Sequence, residues 1–90
     1  MAVLKVSVIS PERVLYEGEA QSVVAPAYDG DVGILPRHAP MMAILGRGVL
    51  RIEGGGSAGG ETLRFEVAGG FVQVVDDQVR VVTERASAPV

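Results

Sequence analysis

Two carboxylates and one imidazole lie close together in a single short stretch of this sequence. Residues 28–40 read YDGDVGILPRHAP and contain Asp29, Asp31 and His38. Such a carboxylate–imidazole set can in principle contribute to a metal site. A metal site usually needs three or four converging ligands, and His38 is the sole histidine in a chain without cysteine. We therefore favour a histidine that hydrogen-bonds a loop carbonyl, with a contact role as the alternative.

The serines complete no catalytic motif that the sequence reveals. None of them follows the strand–elbow–helix pattern of a nucleophilic serine: Ser7, Ser10, Ser22, Ser57 and Ser87. Ser57 lies in the glycine-rich stretch 54–60, which lacks the Lys-Ser/Thr ending and the following helix of a phosphate-binding loop. We expect no catalytic residue, no metal and no cofactor, and we predict that the protein is not an enzyme.

Glycines and prolines shape the stretch that presents the charged residues. Gly30 and Gly33 permit positive φ angles, while Pro36 and Pro40 fix φ and lack a backbone donor. The apolar residues between them suffice for one short strand or one contact with a core. The pattern predicts a rigid loop that holds its charged side chains outward: Asp29, Asp31, Arg37 and His38.

The composition favours an all-β fold. Hydrophobic residues make up 48% of the 90 residues, valine is abundant, and 12 glycines and 5 prolines supply turns. Apolar and polar residues alternate with period two, most clearly at 62–67, and no long segment has a helical period. We predict one domain with eight to ten short strands, arranged as a flattened two-sheet β-sandwich. Local signals also predict a turn at 10–13, a bulge or bend at 17–19, a flexible hairpin tip at 54–60, a bend at 68–70 and a tight turn at 76–77.

Charge and hydropathy exclude several classes of partner. The net charge is −3 and no basic run is present, which argues against nucleic acid. The longest apolar run, residues 39–45, has seven residues and contains a proline, whereas a membrane-spanning helix needs about 20. The N-terminus alternates in polarity, unlike a signal peptide. We predict a soluble protein.

Three motifs in the expected order resemble the ε subunit of F-type ATP synthase. They are GDVGILPRHAPMMAILGRGVLRI at 30–52, FEVAGGFVQVVDDQVRVVTERA at 65–86, and SPERVLYEG at 10–18. The resemblance extends over essentially residues 3–86. It implies a ten-stranded sandwich at 1–86 with a short tail at 87–90.

The resemblance also implies a function and two sets of contact residues. It implies a non-catalytic subunit of the central stalk that links γ to the membrane c-ring and so couples ion translocation to ATP synthesis. The residues matching the family's c-ring contact are Tyr28, Asp29, Gly30 and Asp31, and those matching its γ contact are Ser10, His38, Pro40, Met42 and Ala43. We expect a monomer when isolated, and in the complex a peripheral location on the cytoplasmic face of an energy-transducing membrane, most often a bacterial inner membrane.

The sequence differs from the family pattern in two places, and one alternative function remains. Family members usually continue into a C-terminal helical hairpin with regulatory roles, and this sequence stops at Val90. Properties of that hairpin, including self-inhibition and nucleotide binding, are therefore not expected of these residues. The glycine-rich stretch 54–60 is also unusual for the family. The alternative is a free-standing β-sandwich adaptor or small-ligand-binding module.

Overall fold

Eight strands account for most of the described chain. The computed structural model describes residues 3–55 and 61–87. The strands are β1 (Leu4–Ile9), β2 (Val14–Ala20), β3 (Ser22–Ala27), β4 (Gly30–Ile34), β5 (Met41–Ile44), β6 (Arg47–Gly55), β7 (Glu61–Val75) and β8 (Gln78–Ala86). The described residues include no helix that is long and apolar enough to cross a membrane. The prediction of an all-β fold is confirmed.

The strands form one hydrogen-bonded network that folds over itself. Its order is β2-β1-β8-β7-β6-β3-β4, and β5 pairs with the second half of β7. All pairs are antiparallel except β1 with β8. Strands β2 and β6 are separated by three strands in this order and yet contact each other. The network therefore has two facing layers, which confirms the predicted sandwich.

The fold between the layers occurs within β7. The first half of β7 pairs with β6, and the second half pairs with β5. Between the halves, Gly69 and Gly70 have φ angles of 77° and 107°. A Cβ at Gly70 would overlap the carbonyl oxygen of Val82 and lie 2.7 Å from the Cα of Thr83. Only glycine fits there without displacing the backbone of β8.

Alternating side chains from both layers form one core. In β1, Leu4, Val6 and Val8 are buried, and in β6 the same alternation buries Leu50 and Ile52. These residues belong to one cluster with Phe65 and the inward side chains of β8. The described residues contain no buried side-chain nitrogen or oxygen without a partner. Thr83 is the one buried polar residue among those described, so the core is almost entirely apolar, as the valine content predicts.

Of two local predictions, one is confirmed and one is wrong. Residues 68–70 bend β7, as predicted, without dividing it, and the eight strands of the described residues lie within the predicted eight to ten. The predicted bulge at 17–19 is absent, since β2 pairs regularly with β1 there and shifts register only between Val8 and Ile9. The ring of Tyr16 lies over Gly18, with its hydroxyl oxygen 3.0 Å from the position a Cβ would take. Gly18 thus makes room for an aromatic ring.

Two predicted turns are confirmed. Asp76 and Asp77 connect β7 to β8 with φ angles of 49° and 62°, as a type I′ hairpin turn requires. Residues 10–13 form a turn closed by the Ser10 N–H, which donates to the Arg13 carbonyl over 2.9 Å. Of the predicted hairpin tip at 54–60, residues 56–60 lie outside the described residues.

Candidate functional site

The acidic turn, defined as residues 28–31, forms the tip of the hairpin between β3 and β4. Ala27 pairs with Gly30 and Pro26 pairs with Asp31, so Tyr28 and Asp29 are the two tip residues. The Tyr28 side chain is 83% exposed. Among the described residues neither carboxylate has a hydrogen bond or an ion pair. Both aspartates are therefore available for contact with another molecule.

Backbone hydrogen bonds attach the acidic turn to the end of β5. The Tyr28 N–H donates to the Ile44 carbonyl over 2.7 Å, and the Gly46 N–H donates to the Pro26 carbonyl over 2.8 Å. Between these bonds Ala27 forms an antiparallel bridge with Leu45. Since the bonds lie on both sides of this bridge, the turn is held against β5.

A second turn, at residues 35–38, lies at the far end of β4. The His38 N–H donates to the Leu35 carbonyl over 3.2 Å, and Arg37 has a φ of 70° after Pro36. The Arg37 N–H donates to Oδ1 of Asp77 over 2.6 Å. The Asp77 carbonyl in turn accepts from the Lys5 N–H over 2.9 Å. Asp77 thus connects this turn to both the β7–β8 turn and the start of β1.

The structure does not bring Asp29, Asp31 and His38 together. The stretch 28–40 is two turns separated by β4, whose five residues extend about 16 Å at a rise of about 3.3 Å per residue. His38 is half-buried, and its Nδ1 lies 2.7 Å from the Ala39 carbonyl oxygen, which fits an Nδ1–H donor. This is the ring-to-carbonyl role predicted for it. In the described part of the chain no three acidic or histidine side chains are placed to hold a metal ion.

Strand β5 presents an apolar surface that we define as Met42, Ile44 and Phe71. Met42 and Ile44 are 64% and 67% exposed, while Met41 and Ala43 pack toward the core. Met42 is thus the exposed methionine of the pair, and Met41 packs inward. Ile44 pairs with Phe71, which is half-buried on the same face. Beside this surface, apolar residues continue from Phe71 across the next three strands at the same level of the sheet: Val82 in β8, Ile9 in β1 and Val14 in β2.

The five residues predicted to contact γ occupy two places. His38, Pro40, Met42 and Ala43 follow one another from the second turn into β5. Ser10 lies elsewhere, because β1 runs parallel to β8 away from Asp77 and ends opposite Val82. There Ser10 hydrogen-bonds Arg13 and borders an open cleft of about 750 Å³. Ser10 therefore lies near the end of the sandwich opposite to His38.

A family comparison decides the relationship of this chain to known proteins. Residues 3–89 match the model of the ATP synthase delta/epsilon chain β-sandwich domain. The chain belongs to this family. A protein named ATP synthase epsilon chain from Leptospira interrogans is 46% identical over 85 residues, which are 93% of this chain and 63% of that protein. The protein of the same name from Desulforudis audaxviator is 44% identical over 98% of this chain and 61% of its own length.

Solved structures of ATP synthases contain the same delta/epsilon-type fold. A chain in the cryo-EM structure of the Euglena gracilis mitochondrial ATP synthase, which comprises OSCP, F1 and the c-ring, has a TM-score of 0.86 at 22% identity. It is matched over 99% of this chain and 54% of its own length. A central stalk and c-ring structure from Tetrahymena thermophila gives a TM-score of 0.76 at 17% identity, over 94% of this chain and 66% of that one. This chain spans about 60% of the length of the curated relatives named above.

The places of Ile44 and Phe71 on the apolar surface, and the contact of Arg37 with Asp77, were not predicted from the sequence. Ile44 shares a face with Met42 because strand residues two apart point the same way, so the alternation in β5 could have indicated it. Phe71 could not be found in this way, since its neighbour across the sheet, Ile44, is 27 positions away. The contact between the Arg37 backbone and Asp77 was missed for the same reason: 40 residues separate the two.

Proposed function

We propose that this chain is a non-catalytic ε-type subunit of the central stalk of a rotary F-type ATP synthase. In this proposal it joins the γ subunit to the membrane c-ring and helps to couple ion translocation to ATP synthesis. Its place is peripheral, through the complex, on the cytoplasmic face of a bacterial inner membrane. Family membership and the names of its relatives support the proposal. The main observation behind the proposal is that one short hydrogen-bonded path through β5 connects two exposed surfaces of different chemistry, the acidic turn and the apolar surface.

The acidic turn suits contact with the polar loops of a c-ring. Asp29 lies in the two-residue hairpin tip and Asp31 in the adjoining part of β4, and the backbone is paired on both sides of the tip. Exposed ion pairs contribute only about 0–1 kcal/mol each, so a stiff support that presents several charges together matters more than any single pair. Tyr28, at 83% exposure, adds a flat side chain that has both an apolar ring and a hydroxyl.

The apolar surface suits contact with γ. Met42 and Ile44 are exposed beside Phe71, and contiguous exposed apolar side chains commonly mark protein interfaces. Methionine adapts its shape to an irregular partner surface. Pro40 and His38 lead into β5 from the second turn, which Asp77 holds in place. This surface therefore has a fixed backbone and adaptable side chains.

The path between the two surfaces is short enough to transmit force. The Tyr28 N–H is bonded to the carbonyl of Ile44, which is itself part of the apolar surface. A load applied at the acidic turn therefore reaches β5 through backbone hydrogen bonds and not through a flexible linker. A subunit that couples rotation needs such stiffness between its two partners.

Gel filtration with purified γ tests the proposal directly. The chain alone is expected to elute as a folded monomer, and an equimolar mixture with γ at micromolar concentration as one complex. Met42→Lys combined with Ile44→Lys should weaken the complex by about tenfold or more, because two desolvated charges would replace apolar contacts. Val49→Lys is the matched control, since Val49 is 41% exposed on β6, away from β5. Separate elution of wild-type chain and γ would overturn the proposal.

A further inference from the structure

The edge of β5 that faces away from β7 has unpaired backbone groups. The Leu45 N–H donates to the Gly70 carbonyl on β7 over 2.9 Å, so the backbone groups of Ala43 face β7 as well. Those of Met42 and Ile44 must then face the opposite side. The bond from the Tyr28 N–H to the Ile44 carbonyl confirms this direction. Among the described residues, the Met42 N–H, the Met42 carbonyl and the Ile44 N–H have no partner.

This edge lacks the features that protect the other sheet edges of the described chain. Strands β2, β4 and β5 each have a pairing neighbour along one side only. β2 has Glu17 and Glu19 exposed along its edge, and β4 has Asp31 together with two glycines in five residues. Charges and irregular residues of this kind prevent other strands from pairing. β5 reads MMAI and has neither a charge nor a proline.

We infer that β5 is a strand-addition site, where an extended segment of the γ subunit pairs with the backbone of Met42 and Ile44. The inference rests on the proposed function and specifies how the partner binds. The unpaired groups favour an extended backbone as the occupant, because a strand satisfies together two donors and an acceptor that lie in the plane of the sheet. The exposed Met42 and Ile44 side chains adjoin the same edge and select apolar side chains on that segment.

The open edge is short, and its ends are defined. At one end the acidic turn is bonded to Ile44 and blocks further pairing. At the other end Pro40 precedes β5 and has no N–H to donate. The incoming strand therefore pairs along about three to four residues, the length of β5. Its end lies beside the backbone of Tyr28, which is bonded to Ile44.

Hydrogen exchange of the wild-type chain with and without purified γ is the direct test. In the free chain the amides of Met42 and Ile44 should exchange fast and those of Ala43 and Leu45 slowly. In the complex the amides of Met42 and Ile44 should slow by about tenfold or more, because each gains a hydrogen-bond acceptor. A complex that forms while these two amides still exchange fast would overturn strand addition and leave the proposed function standing. Absence of any complex would refute both.

A pair of substitutions at one position separates backbone from side-chain contact. Met42→Pro removes the Met42 N–H, which has no acceptor among the described residues. Met42→Ala keeps that N–H and shortens the side chain. Strand addition predicts that Met42→Pro weakens γ binding at least about tenfold more than Met42→Ala does, with unchanged thermal unfolding. Equal effects would overturn the inference. So would protection of the same amides without γ, accompanied by the mass of a dimer, since a second copy would then occupy the edge.

Discussion

Arg37 and Asp77 show how single residues fix the surface on which the proposed γ contact depends. Arg37 has a φ of 70°, a backbone conformation that is unfavourable for residues other than glycine. Its N–H donates to the Asp77 carboxylate, which offsets part of that strain. The turn at 76–77 could be predicted from its two aspartates, but its partner could not. Local sequence patterns contain no information about which of many distant backbone donors a carboxylate will meet.

The contribution of this hydrogen bond can be isolated with a neighbouring residue as the control. Asp76 and Asp77 both have positive φ, and among the described residues only Asp77 of the two accepts a hydrogen bond at its carboxylate. Replacement of either by Ala incurs the cost of the left-handed conformation, about 1–2 kcal/mol. Asp77→Ala should lower the free energy of unfolding by about 1 kcal/mol more than Asp76→Ala, as measured by urea denaturation. Equal losses would show that the bond to Arg37 contributes nothing.

At the scale of the elements, β7 explains both what the sequence predicts and what it does not. Alternation at 62–67 and again at 71–75 correctly identifies strands, and the glycines between them correctly indicate a bend. Periodicity could not show that β7 passes through the bend and belongs to both layers, because that depends on β8 lying against Gly70. The presence of a glycine does not by itself show whether it ends a strand, bends a strand, or makes room for an aromatic ring, as Gly18 does.

The bend of β7 makes an element-scale prediction. Gly70→Ala should lower the free energy of unfolding by about 3 kcal/mol or more, because the new Cβ overlaps the backbone of β8 and φ is 107°. Gly69→Ala is the matched comparison. Its φ is 77°, but its Cβ would meet only the flexible Glu84 side chain, so a loss of about 1–2 kcal/mol is expected. Urea denaturation of both variants checks this order, and a Gly70→Ala protein as stable as Gly69→Ala would contradict it.

At the scale of the whole molecule, the acidic turn and the apolar surface lie on one stiff body and should be separable by mutation. The carboxylates of Asp29 and Asp31 have no partner among the described residues, although backbone bonds link the acidic turn to β5. Effects of substitutions at sites that share no side-chain partner usually add. A change of these two carboxylates should therefore leave γ binding intact. It should affect only the coupling of ATP hydrolysis to ion pumping in the assembled complex.

Charge reversal at the acidic turn tests this separation in the assembled enzyme. Asp29→Lys combined with Asp31→Lys should reduce ATP-driven ion pumping in reconstituted vesicles relative to the rate of ATP hydrolysis, because the proposed attraction to basic groups of the c-ring would become repulsion. Exposed substitutions of this kind usually change stability by less than about 0.5 kcal/mol each, so the variant should fold and bind γ normally. Glu17→Lys with Glu19→Lys is the matched control, as it makes the same change in net charge on β2. Normal pumping by the Asp29/Asp31 variant, or equal loss in the control, would remove the c-ring role from the acidic turn.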